Sequence, residues 1–175
     1  MRSVAEKRES REAVCRKLDE MGIPYEMIEH EAAYTVEDMD RVGFDEKTTV
    51  CKNLFVRDQK KKATQWLVVL LKDKRADLES LAEQLGTKHL SFASADRLQK
   101  YLGLAQGEVT PLGVLNDAAH EVIVVFDKDL IGRERLGVHP NDNSATLLLS
   151  FGDIKRFVEQ NGNTVRYVTL KAETA

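Results

Sequence analysis

Residues 51–73 have the sequence CKNLFVRDQKKKATQWLVVLLKD, in which two apolar runs flank a charged turn. The first run contains residue types that suit a half-buried, pleated surface, and the second, at 66–71, is entirely apolar. Two such runs on either side of a polar segment, here residues 58–62, are typical of a β-hairpin. The sequence therefore predicts a hairpin at this point in the fold.

One lysine, Lys52, stands within the first strand of this hairpin. Strand alternation places it on the same face as Val50 and Leu54. A buried ammonium needs an anionic partner, because burial without one is unfavourable or shifts its pKa. Two interpretations follow: Lys52 meets a ligand or a core carboxylate such as Asp58 or Asp127, or the strand lies at a sheet edge and the side chain reaches water.

Composition and length indicate an ordinary globular protein. Hydrophobic residues make up 42% and charged residues 31% of 175 residues, so we expect one domain spanning residues 1–175. No apolar window reaches the ~18 residues of a transmembrane helix. The charged N-terminal segment lacks the apolar core of a signal peptide, so we expect a cytoplasmic protein. The two cysteines, Cys15 and Cys51, form neither a metal-ligand spacing nor a disulfide framework.

The net charge of −3 argues against binding of nucleic acid by overall electrostatics. It leaves room for a local basic patch, to which the three lysines at 60–62 could contribute. The alternative is that this triplet is a solvated turn. We therefore expect weak intrinsic affinity for any nucleic acid.

Periodicity and capping residues predict the remaining elements. Helices are predicted at residues 4–21, 35–42, 76–85, 95–102 and 151–160. Besides the hairpin, strands are predicted at 25–29, 121–127, 145–149 and 164–170, with loops before the second and third of these. Strands joined by hairpin-type turns and mixed irregularly with helices favour an α/β fold with a mixed, largely antiparallel sheet flanked by helices.

Two loops could carry function. The motif GxxxP at residues 107–111 is followed by Gly113, and such a loop can present backbone N–H groups to a ligand or serve as a plain connector. The loop GVHPNDN at 137–143 contains His139, which either points into a cavity or bonds to nearby backbone. The sequence has no phosphate-binding glycine loop, HExxH, CxxC or GxSxG motif, so most familiar enzyme classes are unsupported.

The ordered combination of KNLFVRDQK, GEVTPLGV and GVHPNDN resembles the freestanding prolyl-tRNA editing proteins of the YbaK/ProX type. The resemblance extends from about residue 25 to residue 170, and the KNLFVRD segment looks like the ProX branch, which clears alanine mischarged on proline tRNA. It implies a mixed, partly barrel-like sheet and hydrolysis of the ester between an amino acid and the 3′-terminal adenosine of the tRNA. It implies no cofactor and no metal.

The same resemblance assigns residues to the site. Lys52, Gly107 and His139 are the implied catalytic residues, with Lys52 anchoring the phosphate or ribose of the terminal adenosine. The implied substrate-binding residues are Asn53, Thr110, Pro111 and Gly113, and backbone amides at 107–113 would hold the substrate carbonyl or its oxyanion. A small pocket would admit alanine and exclude proline, and its size could be set by apolar residues. The candidates for that role are Val50, Leu54, Val138 and Leu148.

The expected partner is the acceptor end of tRNA(Pro), with prolyl-tRNA synthetase as a candidate docking partner. No membrane partner is expected, and the protein is expected to be a monomer. Three rival functions remain at this stage. The chain could be a cysteinyl-tRNA(Pro) deacylase of the same family, a noncatalytic module that binds aminoacyl-tRNA or an amino acid, or a structural protein whose Lys52 meets a core carboxylate.

Overall fold

The computed structural model describes residues 2–172, in which five α-helices alternate irregularly with eight β-strands. The helices are α1 (Val4–Glu20), α2 (Val36–Val42), α3 (Leu78–Leu85), α4 (Ala95–Leu102) and α5 (Phe151–Gln160). The strands are β1 (Glu26–Glu29), β2 (Thr49–Arg57), β3 (Gln65–Leu71), β4 (Ser91–Phe92), β5 (Val122–Asp127), β6 (Leu136–Val138), β7 (Ala145–Leu149) and β8 (Val165–Val168). Short 3₁₀ helices cover Pro111–Asn116 and Lys128–Leu130.

All five predicted helices are present, and side-chain caps set where they begin. The hydroxyl of Thr35 accepts a hydrogen bond from the backbone N–H of Asp38, and the carboxylate of Asp38 accepts one from the backbone N–H of Thr35. These two bonds form the predicted capping box of α2. Ser94 and Ser150 cap α4 and α5 in the predicted positions. Helix α3 begins at Leu78, two residues later than predicted, because Asp77 is its N-cap.

The strands form one mixed sheet with the order β1-β7-β6-β2-β3-β5-β8, and β4 pairs with β2. The predicted hairpin is confirmed, since β2 and β3 pair antiparallel with Lys52 opposite Leu70. Four of the seven pairings are antiparallel and three are parallel. The predicted α/β fold, with a mixed and largely antiparallel sheet flanked by helices, is confirmed.

Strand β3 lies at the centre of the core because apolar clusters cover both of its faces. Leu67 and Val69 pack in the larger cluster, and Val68 and Leu70 pack in the smaller one. Burial on both sides explains why this strand has a continuous apolar sequence instead of an alternating one. The strand next to it, β2, is thereby fixed to a rigid support.

The partners of β2 on its other side leave a gap. Its parallel pairing with β6 is limited to Thr49 with Leu136 and Val50 with Gly137. Its pairing with β4 begins only at Val56. On this side of β2, residues 51–54 therefore have no paired strand, although they pair with β3 on the other side, and the candidate site opens at this gap.

Two of the strands were not predicted. Residues 136–138 were predicted as part of a loop but form β6, and β4 was also missed. Strands of three and two residues are too short to produce a periodic pattern. Among the described residues, no helix is long and apolar enough to cross a membrane.

Candidate active site

A cavity of about 270 Å³ lies where β2 and β6 separate. It is lined by four of the residues singled out from the sequence, which are Lys52, Asn53, Gly107 and His139. Much of the remaining wall is apolar and comes from Ala33, Met39, Val50, Cys51, Val109 and Val138. The structure thus brings together the four motif residues, which are up to 87 positions apart in sequence, from Lys52 to His139.

The lysine of this cavity, Lys52, is half-buried, and its ammonium donates to the backbone carbonyl oxygen of Lys74 at 2.5 Å. The two carboxylates considered as its core partners are bound elsewhere. Asp58 accepts from the backbone N–H groups of Lys60 and Thr64 within the hairpin turn. Asp127 is paired with the ammonium of Lys74. Within the described residues Lys52 has no carboxylate partner, so its charge is available to a ligand.

A buried ion pair holds the carbonyl group that Lys52 contacts. The ammonium of Lys74 lies 2.8 Å from a carboxylate oxygen of fully buried Asp127 and 2.5 Å from one of Asp129. Burial acts to lower the pKa of Lys74, but the hydrogen bonds to the two aspartates outweigh it and the pKa is raised. Lys74 is therefore charged, and its backbone is fixed beside Lys52. The sequence analysis did not identify this pair.

Asn53 contributes an unpaired acceptor to the cavity. Its side-chain oxygen Oδ1 is buried and has no hydrogen-bond partner among the described residues. Buried polar atoms are nearly always paired, so an unpaired one in a cavity wall is a candidate acceptor for a ligand donor. The alternation of β2 had separated Asn53 from Lys52, yet both line the cavity because it lies at the open edge of the strand.

The second acceptor of the cavity belongs to His139. Its Nδ1 lies 3.0 Å from the backbone carbonyl oxygen of Ala145. Burial lowers the pKa of His139, and nearby His30 lowers it further, although the bond to Ala145 opposes the shift. The ring is therefore neutral at neutral pH, and because Nδ1 must donate to a carbonyl, Nε2 carries the free lone pair.

Only part of the GxxxP segment lines the cavity. Gly107 has a positive φ of +84°, and a Cβ at this position would lie 2.7 Å from Cδ1 of Tyr34. The N–H groups of Leu112 and Gly113 donate to Oγ1 and to the carbonyl oxygen of Thr110, so they are not free for a ligand. Of the expected range 107–113, only Gly107 and Val109 line the cavity.

Thr110, Pro111 and Gly113 lie behind the cavity wall and act on the site through packing. The buried hydroxyl of Thr110 donates to the backbone carbonyl oxygen of His139 at 2.7 Å, which joins the two loops. Pro111 begins the 3₁₀ helix. Gly113 packs so closely that an added Cβ would lie 2.8 Å from Cδ1 of Leu104. These three residues shape the loop, and none of them lines the cavity.

Helix α1 fixes both loops of the site, a role that sequence analysis missed. Three basic side chains bind the loops, of which two lie on α1 and one lies just before it. The contacts join Arg2 to Glu108, Lys7 to Asn143 at 2.8 Å, and Arg11 to Asp142 at 2.8 Å. The recurrence of basic residues along α1 was a possible sequence signal for these contacts.

Among the described residues that line the cavity, none is an activated side-chain nucleophile. Burial raises the pKa of Cys51 to about 12, so its thiol is protonated and forms part of the apolar wall. Of the four candidates for size selection, Val50 and Val138 line the cavity. Leu54 lines a neighbouring groove, and Leu148 lines neither. The arrangement offers a free cation, two unpaired acceptors and a small apolar space.

Comparison with known proteins matches residues 30–157 to the family described as the aminoacyl-tRNA editing domain. The chain is 49% identical over 162 residues to the prolyl-tRNA editing protein ProX of Acetoanaerobium sticklandii, covering 93% of this chain and 98% of that protein. It is 36% identical to the prolyl-tRNA synthetase associated domain-containing protein 1 of Bos taurus, covering 89% and 92%. A solved structure described as a candidate trans-editing enzyme for prolyl-tRNA synthetase has the same fold, with a TM-score of 0.71 at 20% identity and coverage of 94% and 98%.

Proposed function

The chain belongs to the aminoacyl-tRNA editing domain family, as the resemblance of its motifs indicated. We propose that it hydrolyses the ester bond of alanine mischarged on tRNA(Pro). A single observation carries the proposal. One small cavity joins the free ammonium of Lys52 to the unpaired acceptors of Asn53 and His139. These groups match the 5′-phosphate and the α-ammonium of an aminoacylated terminal adenosine nucleotide.

Hydrolysis of an aminoacyl ester needs positioning more than a strong nucleophile, because the ester is already reactive. The site must hold the ester and a water molecule in register and stabilise the developing oxyanion. The protonated thiol of Cys51 is consistent with such a mechanism. A ribose hydroxyl next to the ester would help to activate the water, as the family resemblance implies.

The free ammonium of Lys52 would bind the phosphate or ribose of the terminal adenosine. The ammonium keeps protons for a ligand after its one bond to Lys74. Oδ1 of Asn53 and Nε2 of His139 would accept hydrogen bonds from the α-ammonium of the alanine, and both are acceptors without another partner among the described residues. Gly107 and Val109 would offer backbone N–H groups to the ester carbonyl.

Selection for alanine would depend on the apolar wall of the cavity. Val50, Met39 and Ala33 pack against each other on one side, and Val138 lies in the wall. Such a wall would reject the ring of proline by steric clash, which discriminates better than the loss of one methylene from a larger pocket. The synthetase makes the error with the smaller amino acid, and a second, smaller site removes it.

The proposed partner is the acceptor end of tRNA(Pro), with prolyl-tRNA synthetase as a docking partner. The net charge of −3 supports weak intrinsic binding of the tRNA body. We propose that the protein acts in the cytoplasm, because its proposed substrate is an aminoacylated tRNA. We propose that the protein acts as a monomer, since the cavity is built from one chain.

The proposal is tested by single-turnover deacylation of alanyl-, cysteinyl- and prolyl-tRNA(Pro) with the purified protein. We expect rapid loss of the alanyl ester and no loss of the prolyl ester above the spontaneous rate. Faster loss of the cysteinyl than of the alanyl ester would reassign the substrate within the family. Binding of alanyl-tRNA(Pro) without hydrolysis of any ester would replace the proposal with a noncatalytic binding module.

A further inference from the structure

A second groove adjoins the cavity and shares Lys52 with it. The groove has a volume of about 710 Å³ and is lined by Lys52, Leu54, Arg75, Asp77, Leu78 and Phe92, together with Ala76. Asn53 and His139 line the cavity and do not line the groove. A ligand whose anionic group binds Lys52 can therefore extend from the cavity into the groove.

Phe92 gives this groove an exposed aromatic surface. Its side chain is 60% exposed, although it lies on β4 directly opposite Val56, which is fully buried. An exposed aromatic ring in a groove is a platform on which another flat group can stack. The surrounding Leu54 and Leu78 extend the apolar floor beneath such a group.

The charges of the groove favour an anionic occupant. Arg75 is exposed, and its guanidinium forms no ion pair or hydrogen bond with any residue from 2 to 172. Asp77 is the one carboxylate in the groove, and its oxygen accepts from the backbone N–H groups of Glu79 and Ser80 at the start of α3. Lys52 and Arg75 therefore give the groove positive charge in addition to its apolar floor.

We propose that this groove binds the unpaired nucleotide that precedes the terminal adenosine, with its base stacked on Phe92 and its own 5′-phosphate near Arg75, while the phosphate that joins it to the terminal adenosine lies at Lys52. The inference rests on the proposed function, because the terminal adenosine must occupy the cavity for its neighbour to reach the groove. Every mature tRNA ends in the single-stranded sequence CCA, so the occupant is a cytidine. Stacking and phosphate contacts tolerate sequence, which suits a site that reads a universal tRNA end.

The test measures binding of two stable probes by isothermal titration calorimetry. One probe is the 5′-monophosphate of 3′-alanylamino-3′-deoxyadenosine, which carries the phosphate assigned to Lys52, and the other is the trinucleotide CCA ending in the same alanylamido group. We expect the wild-type protein to bind the trinucleotide about tenfold more tightly than the mononucleotide. Phe92→Ala should remove most of that difference without changing the affinity for the mononucleotide, and Phe92→Trp should retain it.

Two further variants separate stacking from charge. Ile131→Ala removes another exposed apolar side chain, 54% exposed and outside the groove, and should leave both affinities unchanged. Arg75→Gln should reduce the salt dependence of trinucleotide binding by about 0.7 in log–log slope, the value for one phosphate contact on a single strand, whereas Arg8→Gln on α1 should not.

Equal wild-type affinity for the two probes would overturn the proposal, as would an equal loss for both probes in Phe92→Ala. The two proposals fail separately. A protein that hydrolyses alanyl-tRNA(Pro) but binds both probes equally retains the editing function and loses the groove assignment. A protein that prefers the trinucleotide through Phe92 but hydrolyses no ester keeps the groove assignment and loses the editing function.

Discussion

The ammonium of Lys52 donates to the backbone carbonyl oxygen of Lys74, 22 residues further along the chain, at 2.5 Å. The ammonium of Lys74 is in turn bound to Asp127 at 2.8 Å. The charge of Lys74 is thus balanced by carboxylates, and its backbone carbonyl binds Lys52. The charge of Lys52 remains available to a ligand. A carboxylate in place of that carbonyl would satisfy the charge of Lys52 and compete with an anionic substrate.

Replacement of Lys74 by methionine should destabilise the protein. The change leaves the fully buried carboxylate of Asp127 without its partner, and breaking a buried pair in this way costs about 3 to 5 kcal/mol. Urea unfolding measures the loss. The matched control is Lys72→Met, because Lys72 pairs with Asp40 at the surface, where the expected cost is at most about 1 kcal/mol. Equal losses in the two variants would contradict the assigned role of Lys74.

Replacement of Thr110 by valine should lower activity by releasing the loop of His139. The valine keeps the shape but removes the hydroxyl that donates to the carbonyl oxygen of His139. It also removes the acceptor for the N–H of Leu112, so we expect a loss of about 1 to 3 kcal/mol in stability together with a lower kcat. Thr110→Ser should restore both. Rescue of stability without rescue of kcat would show that the hydroxyl does not position His139.

Substitution of Gly107 by alanine should impair the site more than the same change at Gly132. Both glycines have φ of +84°, so alanine at either position bears the same left-handed strain of about 1 to 2 kcal/mol. A Cβ at Gly107 would also lie 2.7 Å from the ring of Tyr34, whereas one at Gly132 would meet nothing within 4 Å. Deacylation rates and thermal unfolding of the two variants separate strain from contact. Equal rates would mean that the approach of Tyr34 to Gly107 has no part in the site.

Activity should persist to lower pH than an ordinary histidine would allow. Burial and then His30 lower the pKa of His139 below its usual value of about 6.5, against the hydrogen bond to Ala145 and the charge of Asp142. Nε2 therefore remains an acceptor as the pH falls through 6.5, and the acidic limb of kcat/KM should have its midpoint below that pH. The rate is measured relative to spontaneous hydrolysis at each pH. A midpoint at or above about 6.5 would contradict the assignment.

The same shift affects stability. Below the unfolded-state pKa of about 6.5 the unfolded chain binds more protons than the folded chain. The contribution of His139 is therefore fully present above that pH and is lost as the pH falls towards the folded-state pKa. His139→Gln should flatten the acidic limb of the activity profile and reduce the loss of stability over this range.

Enlargement of the cavity should relax its selectivity. Val50→Ala removes two methyl groups from the wall, so we expect the ratio of prolyl to alanyl ester hydrolysis to rise by about tenfold or more. Leu148→Ala is the comparison, because Leu148 was a candidate from the sequence but does not line the cavity. An unchanged ratio in Val50→Ala would mean that another part of the wall excludes proline.

The sequence predicted the elements whose patterns are local. The β2–β3 hairpin, the caps at Thr35 and Ser150 and the mixed sheet were all inferred from neighbouring residues. The two short strands, β4 and β6, could not be inferred from neighbouring residues, because their pairing depends on where β2 lies. The gap between them, which forms the site, is for that reason a property of the assembled sheet.

The candidate site was only partly predictable for a related reason. Motif resemblance identified Lys52, Asn53, Gly107 and His139, which share the cavity. The ion pair of Lys74 with Asp127 and the contacts of α1 with the loops join residues 53 or more positions apart, and a single sequence does not reveal such partners. The exposure of Phe92 is likewise visible only once β4 is placed.

The role of Lys52 is tested most directly by single-turnover hydrolysis of alanyl-tRNA(Pro) with wild-type protein, Lys52→Ala and Lys155→Ala. Lys155 lies on α5 outside the cavity, so its loss controls for the removal of one positive charge. We predict that wild type and Lys155→Ala hydrolyse the ester at the same rate and that Lys52→Ala is slower by about 100-fold or more. Undiminished hydrolysis by a folded Lys52→Ala protein would contradict the account.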